Sequence, residues 1–388
     1  MNFRRRKKCG PIGLDIGSSG VKLLQLSSEL GQPTVVAAAH AEFPSEIPQS
    51  TDMNELVERA VADCLRRGPF EGREVVTAFG NGEFQLKNVR LPRMPSEELA
   101  AAVEFEASER FDFSRSSAQV RFIPVGEVRH GNEIKEEVIV FAAPDDAVTS
   151  RLAVLENLKL SPVAIDLTPC AVARSFVRFL RRSEDVNAIN VFLDVGFSGT
   201  NVVITRGSEI NFIKQVEVGG RHLVDAVAKA LSISLQEAAD LRLRIMREGG
   251  GRRDDDQTTV PEDIRAALKD AVKPLIERLS RDVQMCLRYF AVTFRGQRPD
   301  SLTLVGGEAY EPILAPTLTQ AFNVPCMVGH PMRGIGRLGD LGGRDRRTMQ
   351  PAWATACGLA LRGSAWVRTG SRIADRSIGG DITAKAVV

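Results

Sequence analysis

Ile12-Gly13-Leu14-Asp15-Ile16-Gly17-Ser18-Ser19-Gly20-Val21-Lys22-Leu23-Leu24-Gln25-Leu26 is the stretch that decides the fold. Two short apolar runs flank a turn made of Gly17, Ser18, Ser19 and Gly20, which predicts a β-hairpin. Alternation puts Leu14 and Ile16 on one face and Asp15 on the other. Glycine in the turn lets backbone N–H groups approach an anion without a Cβ in the way. Lys22, seven residues after Asp15, adds a point positive charge. One such hairpin is a common structural element and says little.

A second copy makes it specific. Leu193-Asp194-Val195-Gly196-Phe197-Ser198-Gly199 repeats Leu14 to Gly20 at five of seven positions, and an apolar run, Val202-Val203-Ile204, follows it. Two such hairpins, one in each half of the chain, would clamp a nucleotide's phosphates between two lobes. Asp15 and Asp194 would then hold Mg²⁺ through its waters.

The rest of the composition narrows the class. With 388 residues the chain is long enough for several domain-sized units and a cleft between them. Its 51 basic and 49 acidic residues nearly cancel, which argues against nucleic acid as a partner. The six cysteines, Cys9, Cys64, Cys170, Cys286, Cys326 and Cys357, form no Cys-x-x-Cys pair, so a reduced, cytoplasmic protein without structural zinc is expected. No apolar run approaches the ~18 residues that would span a bilayer. Arg4-Arg5-Arg6-Lys7-Lys8 reads as part of a solvated basic leader over residues 1–9.

Along the chain, Thr34 to Ala41 is expected to add a third strand, and Asn54 to Arg67 a helix burying Val57, Ala60, Val61 and Cys64. Glu74 to Ala78 is a further strand. Phe84 to Val89 leads into Leu91-Pro92-Arg93-Met94-Pro95, whose prolines should end regular structure before Ser96 caps a helix through Glu109. Phe111 to Val128 and Glu137 to Ala142 alternate like strands and Asp145 to Leu158 is helical. Asn81 to about Leu160 is therefore expected to be a small α/β insert. Pro162 to Asp166, a strand, and Pro169 to Arg181, a helix, bring the chain back to the cleft.

In the second half Ser234 and Glu237 fit a capping box for a helix to about Arg247, and Gly249 to Asp256 reads as a polar, mobile loop. Asp263 to Phe294 has helical spacing at Ile264, Leu268, Ala271, Leu275, Leu279, Val283, Leu287 and Phe290, with a kink expected at Pro274. Ser301 to Val305 is a buried strand running into Gly306-Gly307. That glycine pair is bare enough for an adenosine ring to stack on the main chain, with Tyr310 offering a second face. A helix is expected from Glu311 to about Phe322 and a small-residue helix from Ala352 to Arg362. The polar tail after it is expected to be unstructured.

This order of parts resembles the actin-like ATPase superfamily, and several stretches are similar to one branch, the PilM family of type IV pilus assembly proteins. They are Gly13 to Ser18 with Lys22, Leu91-Pro92-Arg93-Met94-Pro95-Ser96-Glu97-Glu98-Leu99, Val218-Gly219-Gly220-Arg221, Leu304-Val305-Gly306-Gly307 and Gly358 to Gly363. The resemblance implies an α/β, actin-like (ribonuclease H-like, duplicated) two-lobe ATPase fold with a small α/β subdomain inserted in the first lobe. The first lobe would comprise 10–80 and 161–187, completed by 352–363, and the insert 81–160. The second lobe would be 188–351, with 221–298 its helical subdomain, and 364–388 the tail.

ATP and Mg²⁺ are the implied cofactors, with Asp15 and Asp194 as metal and water-positioning residues. Gly17, Ser18, Ser19, Gly20, Lys22, Gly196, Ser198, Gly199 and Thr200 would face the phosphates, with Gly219 and Gly220 also at the nucleotide. Gly306 and Gly307 would face the base, and Arg242 the ribose or base. The implied partner is a PilN-like bitopic inner-membrane protein, whose N-terminal cytoplasmic segment would lie in a groove between the first lobe and the insert. This places the protein in the cytoplasm, peripheral to the inner membrane and touching it only through the partner. Self-association stays open.

Three departures from the family pattern bear on chemistry. Thr168 stands where the family carries a carboxylate that positions the attacking water, which leaves Asp166 as the stand-in and makes slow or absent hydrolysis the expectation. The family's Glu-Ala-Glu-x-Leu-Lys stretch reads Glu237-Ala238-Ala239-Asp240-Leu241-Arg242. Phe197 puts a bulky ring in the second turn. The alternatives are an actin-fold phosphotransferase, which needs a carboxylate base where Thr168 stands, and an FtsA-like filament-forming protein, which needs an amphipathic anchor that Ser364 to Val388 does not supply.

Overall fold

A computed structural model describes residues 9–362 apart from 30–31, 45, 49, 112–116, 131–132, 181, 250–259, 295–297 and 337–348. The expectations for the basic leader over 1–8, for the loop at 250–256 and for the tail lie outside the described residues, while Cys9, expected in the leader, opens the first strand.

The first hairpin is β1 (Cys9–Gly17) and β2 (Gly20–Glu29), extended by β3 (Gln32–Glu42). Helix α1 (Met53–Arg67) follows, then β4 (Glu74–Phe79), and the chain leaves the lobe through β5 (Gln85–Pro92), α2 (Ser96–Arg110), β6 (Ala118–His130) and β7 (Glu133–Pro144). Helix α3 (Asp145–Asn157), β8 (Ser161–Leu167) and α4 (Thr168–Val177) lead to the second hairpin, β9 (Ile189–Val195) and β10 (Thr200–Arg206), with β11 (Glu209–Val216). Three helices come next, α5 (Gly220–Leu231), α6 (Leu235–Gly249) and α7 (Glu262–Thr293). Then follow β12 (Ser301–Val305), α8 (Leu314–Phe322), β13 (Cys326–Val328) and α9 (Ala354–Arg362).

The duplication seen in the motif extends to whole sheets. The first lobe orders its strands β3-β2-β1-β4-β8 and the second β11-β10-β9-β12-β13; in each, an antiparallel meander of three is continued by two parallel strands. A third, antiparallel sheet, β5-β7-β6, belongs to the insert and packs Val89, Leu91, Val138 and Val140 against Leu99 and Val103 of α2. Around α4 one core joins all three parts. Phe79 and Ile165 of the first lobe, Ile139 and Phe141 of the insert and Phe192, Val203 and Ile213 of the second lobe meet there, with Phe176 of α4 stacked 5.2 Å from Phe192. The cleft between the lobes is thus hinged on buried apolar surface.

The small-residue helix α9 has a packing reason. It crosses α4 so closely that a Cβ on Gly358 would stand 1.8 Å from the carbonyl oxygen of Ala171, and on its other side it presses the Ala360 backbone onto Gly13 of β1. Only side chains no larger than alanine and glycine permit such an approach.

Several sequence expectations are corrected. The strand β5 runs on through Leu91 and Pro92, because Pro92 sits at its last position and interrupts no ladder bond. The next helix takes Pro95, not Ser96, as its N-cap. Helix α4 stops at Val177, four residues short of Arg181. On α7 the buried stripe is Leu268, Val272, Ile276, Leu279, Val283, Cys286 and Phe290, while Ile264, Ala271, Leu275 and Leu287 are only half-buried at its border. The neighbouring sheet and α5 select which of two adjacent apolar rows turns inward. The α3 helix, expected in the insert, buries Val154 and Leu155 with α1 and β1 in the first-lobe core.

Candidate functional site

The turns of the two hairpins face each other across a cleft of about 370 Å³ between the lobes. Of the residues singled out in the sequence, Asp15, Gly17, Ser18, Ser19, Lys22, Asp194, Gly196, Ser198, Gly199, Gly306 and Gly307 all line it. Among the described residues no backbone carbonyl takes the N–H of Ser18, Phe197 or Ser198. Such turn amides are the donors an anion uses.

The two hairpins differ at one informative place. Asp15 lies directly opposite Lys22 across the first ladder, and Asp194 lies opposite Asn201 across the second. The seven-residue spacing that marks Lys22 after Asp15 also marks Asn201 after Asp194, a position the sequence analysis does not single out. Asn201 Nδ2 donates to Asp194 Oδ2 at 3.2 Å. That donor and, more weakly, the charge of Lys22 offset only part of the cost of burial. Burial pushes the Asp194 carboxyl up to about 6, Asn201 pulls it down, and the negative charge of Asp15 raises it again. Asp15 is raised too, by burial, with Lys22 and Arg151 pulling it back. Gly306, with φ of 90°, has its α-carbon so near that a Cβ would stand 2.8 Å from Asp194 Oδ1.

These observations test whether Mg²⁺ fits. Asp194, buried, and Asp15, half-buried, offer hard oxygen ligands and negative charge that Lys22, Arg151 and the Asn201 amide only partly offset. Among the described residues no third His, Cys, Asp or Glu joins them. A magnesium ion that keeps several of its waters and takes one or two carboxylates suits such a pair.

Seven singled-out residues lie elsewhere. Gly20 packs its α-carbon on the Ala41 carbonyl of β3. The Thr200 hydroxyl donates to the Val218 carbonyl at 2.6 Å. Gly219 and Gly220 do not reach the cleft: the Gly219 N–H donates to His222 Nδ1, and the Gly220 N–H to the Gly196 carbonyl at 2.9 Å. They brace the second turn from behind. Arg242, 3% exposed, gives Nη2 to Glu308 and Glu311, both at 2.7 Å. Asp166, the carboxylate considered for water positioning, points away from the cleft and is paired with Arg174 at 2.8 Å and Arg362 at 2.7 Å. Burial alone would raise its pKa, but the two guanidinium groups outweigh that and hold it at about 2. Thr168 is the one that lines the cleft, its hydroxyl donating to the Phe79 carbonyl at 3.0 Å. Tyr310 offers no second face; its hydroxyl donates to the Met349 carbonyl at 2.7 Å.

Arg151 and Glu83 are among the cleft residues that the sequence does not mark. Arg151 is buried on α3, donating to the Ala78 carbonyl at 2.7 Å and pairing with Glu83, whose other oxygen accepts the Gly80 N–H at 2.8 Å. Nothing local marks them, since an arginine on a helix is ordinarily a solvent-facing group. Separately, a small, mostly apolar groove of about 80 Å³ opens between the first lobe and the insert, lined by Phe79, Phe84, Phe141, Val148, Ile165 and Leu167 together with Gln119, Arg121 and Asp166.

A duplicated five-stranded sheet, an aspartate at the end of β1 in one copy and of β9 in the other, and a cleft between them define the actin-like ATPase fold. The chain belongs to the family of the type IV pilus assembly protein PilM, whose model matches residues 13–364. Among solved structures it is similar to a chain of a "PilM-PilN type IV pilus biogenesis complex", at 24% identity over 91% of this chain and 98% of that one, with a TM-score of 0.74. It is also similar to the ethanolamine utilization protein EutJ from Carboxydothermus hydrogenoformans, at 15% identity over 91% of this chain and 89% of the other, with a TM-score of 0.52.

Proposed function

We propose that this protein is a cytoplasmic adaptor that binds ATP with Mg²⁺ between its lobes and holds the N-terminal cytoplasmic segment of a PilN-like bitopic inner-membrane protein, supporting assembly of a type IV pilus or a related secretion complex. The observation that carries the reading is the pair Asp15 and Asp194, brought from two distant hairpins to one cleft. Bound MgATP would supply positive charge for the carboxylates and a triphosphate for Lys22 and the turn amides. Asp15 and Asp194 would orient the metal's waters, and the two lobes would be drawn together by groups each lobe contributes. With Thr168 at the cleft wall and Asp166 neutralised by two arginines, these residues suit a clamp better than a fast hydrolase.

The groove between the first lobe and the insert is the seat proposed for the partner's segment. Its phenylalanines and aliphatic side chains would take apolar side chains of an extended peptide, and contact with the membrane would be through that partner alone. The test is a calorimetric titration of the full chain with MgATP, then with a peptide copying the partner's N-terminal segment. Asp15→Ala is expected to abolish nucleotide binding; unchanged binding would show the site to be misassigned. Val148→Arg, which fills the groove, is expected to weaken the peptide at least tenfold while leaving MgATP affinity as it was, and an unaltered peptide affinity would remove the groove from the proposal.

A further inference from the structure

The end of the cleft beyond the glycine pair is built differently from the phosphate end. Gly306 stands beside Asp194, and the cleft wall continues from it through Gly307 to Glu308; a base facing the glycine pair, as the family resemblance implies, would lie against Glu308. That space is already used. Glu308 lines the cleft with its carboxylate wedged against the first turn of α5, so near that a Cβ on Gly220 would lie 2.2 Å from Oε1. Its other oxygen takes Arg242 Nη2, which is shared with Glu311. Planar guanidinium between two carboxylates ties α6 to the loop after β12, and it does so in a nearly dry environment: Glu308 is 7% and Glu311 8% exposed. The carboxylates of Glu308 and Glu311 are thus both paired to one nitrogen of Arg242, whose Nε is buried and, among the described residues, has no hydrogen-bond partner.

We infer that this ionic lock of Glu308, Arg242 and Glu311 closes the base end of the cleft, so that the site selects a magnesium-bound polyphosphate chain and does not discriminate the base attached to it. The inference rests on the nucleotide-clamp reading above and sharpens its ligand class. Two carboxylates share a single arginine, so the lock carries one negative charge too many, and removing Glu308 leaves Arg242 and Glu311 as a balanced pair. Glu308→Gly is consequently the variant that opens the end of the cleft without stranding a buried charge.

The experiment titrates the full chain by calorimetry with MgATP, MgGTP, MgCTP and magnesium tripolyphosphate at fixed ionic strength, then repeats the series on Glu308→Gly after circular dichroism has shown it folded. Dissociation constants within threefold of one another are expected for the parent. In Glu308→Gly at least one nucleotide should bind tenfold or more tighter than tripolyphosphate, whose own affinity stays within threefold of the parent value. A parent preference above threefold for one nucleotide overturns the inference and leaves the clamp reading standing. So does a Glu308→Gly series as uniform as the parent's. Failure of all four ligands to bind the parent overturns both.

Discussion

Arg90 Nη2 of the insert donates to Thr293 Oγ1 at the end of α7 at 3.0 Å, a bond between parts 203 residues apart in the chain. The same guanidinium gives Nε to Glu137 at 2.8 Å, and the Tyr289 hydroxyl donates to the other oxygen of that almost wholly buried carboxylate. The insert is thus bolted to the second lobe, while the apolar groove lies between the insert and the first lobe. A change in the angle between the lobes is therefore expected to deform the groove.

If nucleotide closes the cleft, MgATP and the peptide are coupled through that bolt, and by linkage the effect is the same in both directions. The double variant Tyr289→Phe with Thr293→Val loosens it without removing the counterion of Glu137. The ratio of peptide affinities with and without MgATP is expected to fall at least threefold toward one, measured by calorimetry. A ratio equal to the parent's would place the coupling elsewhere.

Asp194 imposes a stability cost that depends on pH. Its carboxyl titrates near 4 in the unfolded chain and at about 6 in the folded protein, so the folded state holds the proton longer and loses relative stability as pH rises from 4 through 6. Asp194→Asn removes that titration. It should be more stable than the parent by on the order of 3 kcal/mol at pH 8 and no more stable on this account below pH 4. Urea midpoints at the two pH values check it, and equal differences at both would refute it.

Asp166 has the opposite sign. Held at about 2 by Arg174 and Arg362, it contributes stability that is complete above pH 4 and is lost as pH falls toward 2. Asp166→Ala leaves Arg174 buried without its counterion and is expected to cost roughly 3–5 kcal/mol. MgATP affinity of the folded fraction should be unchanged, since the side chain faces away from the cleft. A large loss of nucleotide binding with normal stability would restore Asp166 to the site.

Gly358→Val would drive a branched side chain into the Ala171 backbone where α9 crosses α4. Neither element can yield without moving β1, so soluble folded protein is expected to be lost, or its thermal midpoint to fall by more than 10 °C, an overpacking cost on the order of 3 kcal/mol or more. An unchanged melt would mean the crossing is looser than these contacts require.

How much was legible follows from the range of the forces involved. The two hairpins, the third strand of the first lobe and the capping of α6 by Ser234 with Glu237 Oε2 at 2.8 Å are local, fixed by alternation, turn glycines and caps within a few residues, whereas β11 was not read. Even Asn201 was there to be read, at the spacing of Lys22. Glu83 and Arg151 were not, because a half-buried ion pair between a loop and a helix leaves no periodic trace.

The sequence by itself determined that two acidic glycine turns recur on equivalent hairpins, and hence that the protein has two similar halves and a cleft, since each turn's geometry is set by its own residues. Only the tertiary structure decided which charged groups face that cleft. Asp166, Arg242, Gly219 and Gly220 carry the same side chains or amides wherever they sit, but a buried carboxylate or guanidinium takes whatever opposite charge the fold brings within reach. Arg174, Arg362, Glu308 and Glu311 come from distant segments, and their nearness is a property of the packed chain and of nothing shorter.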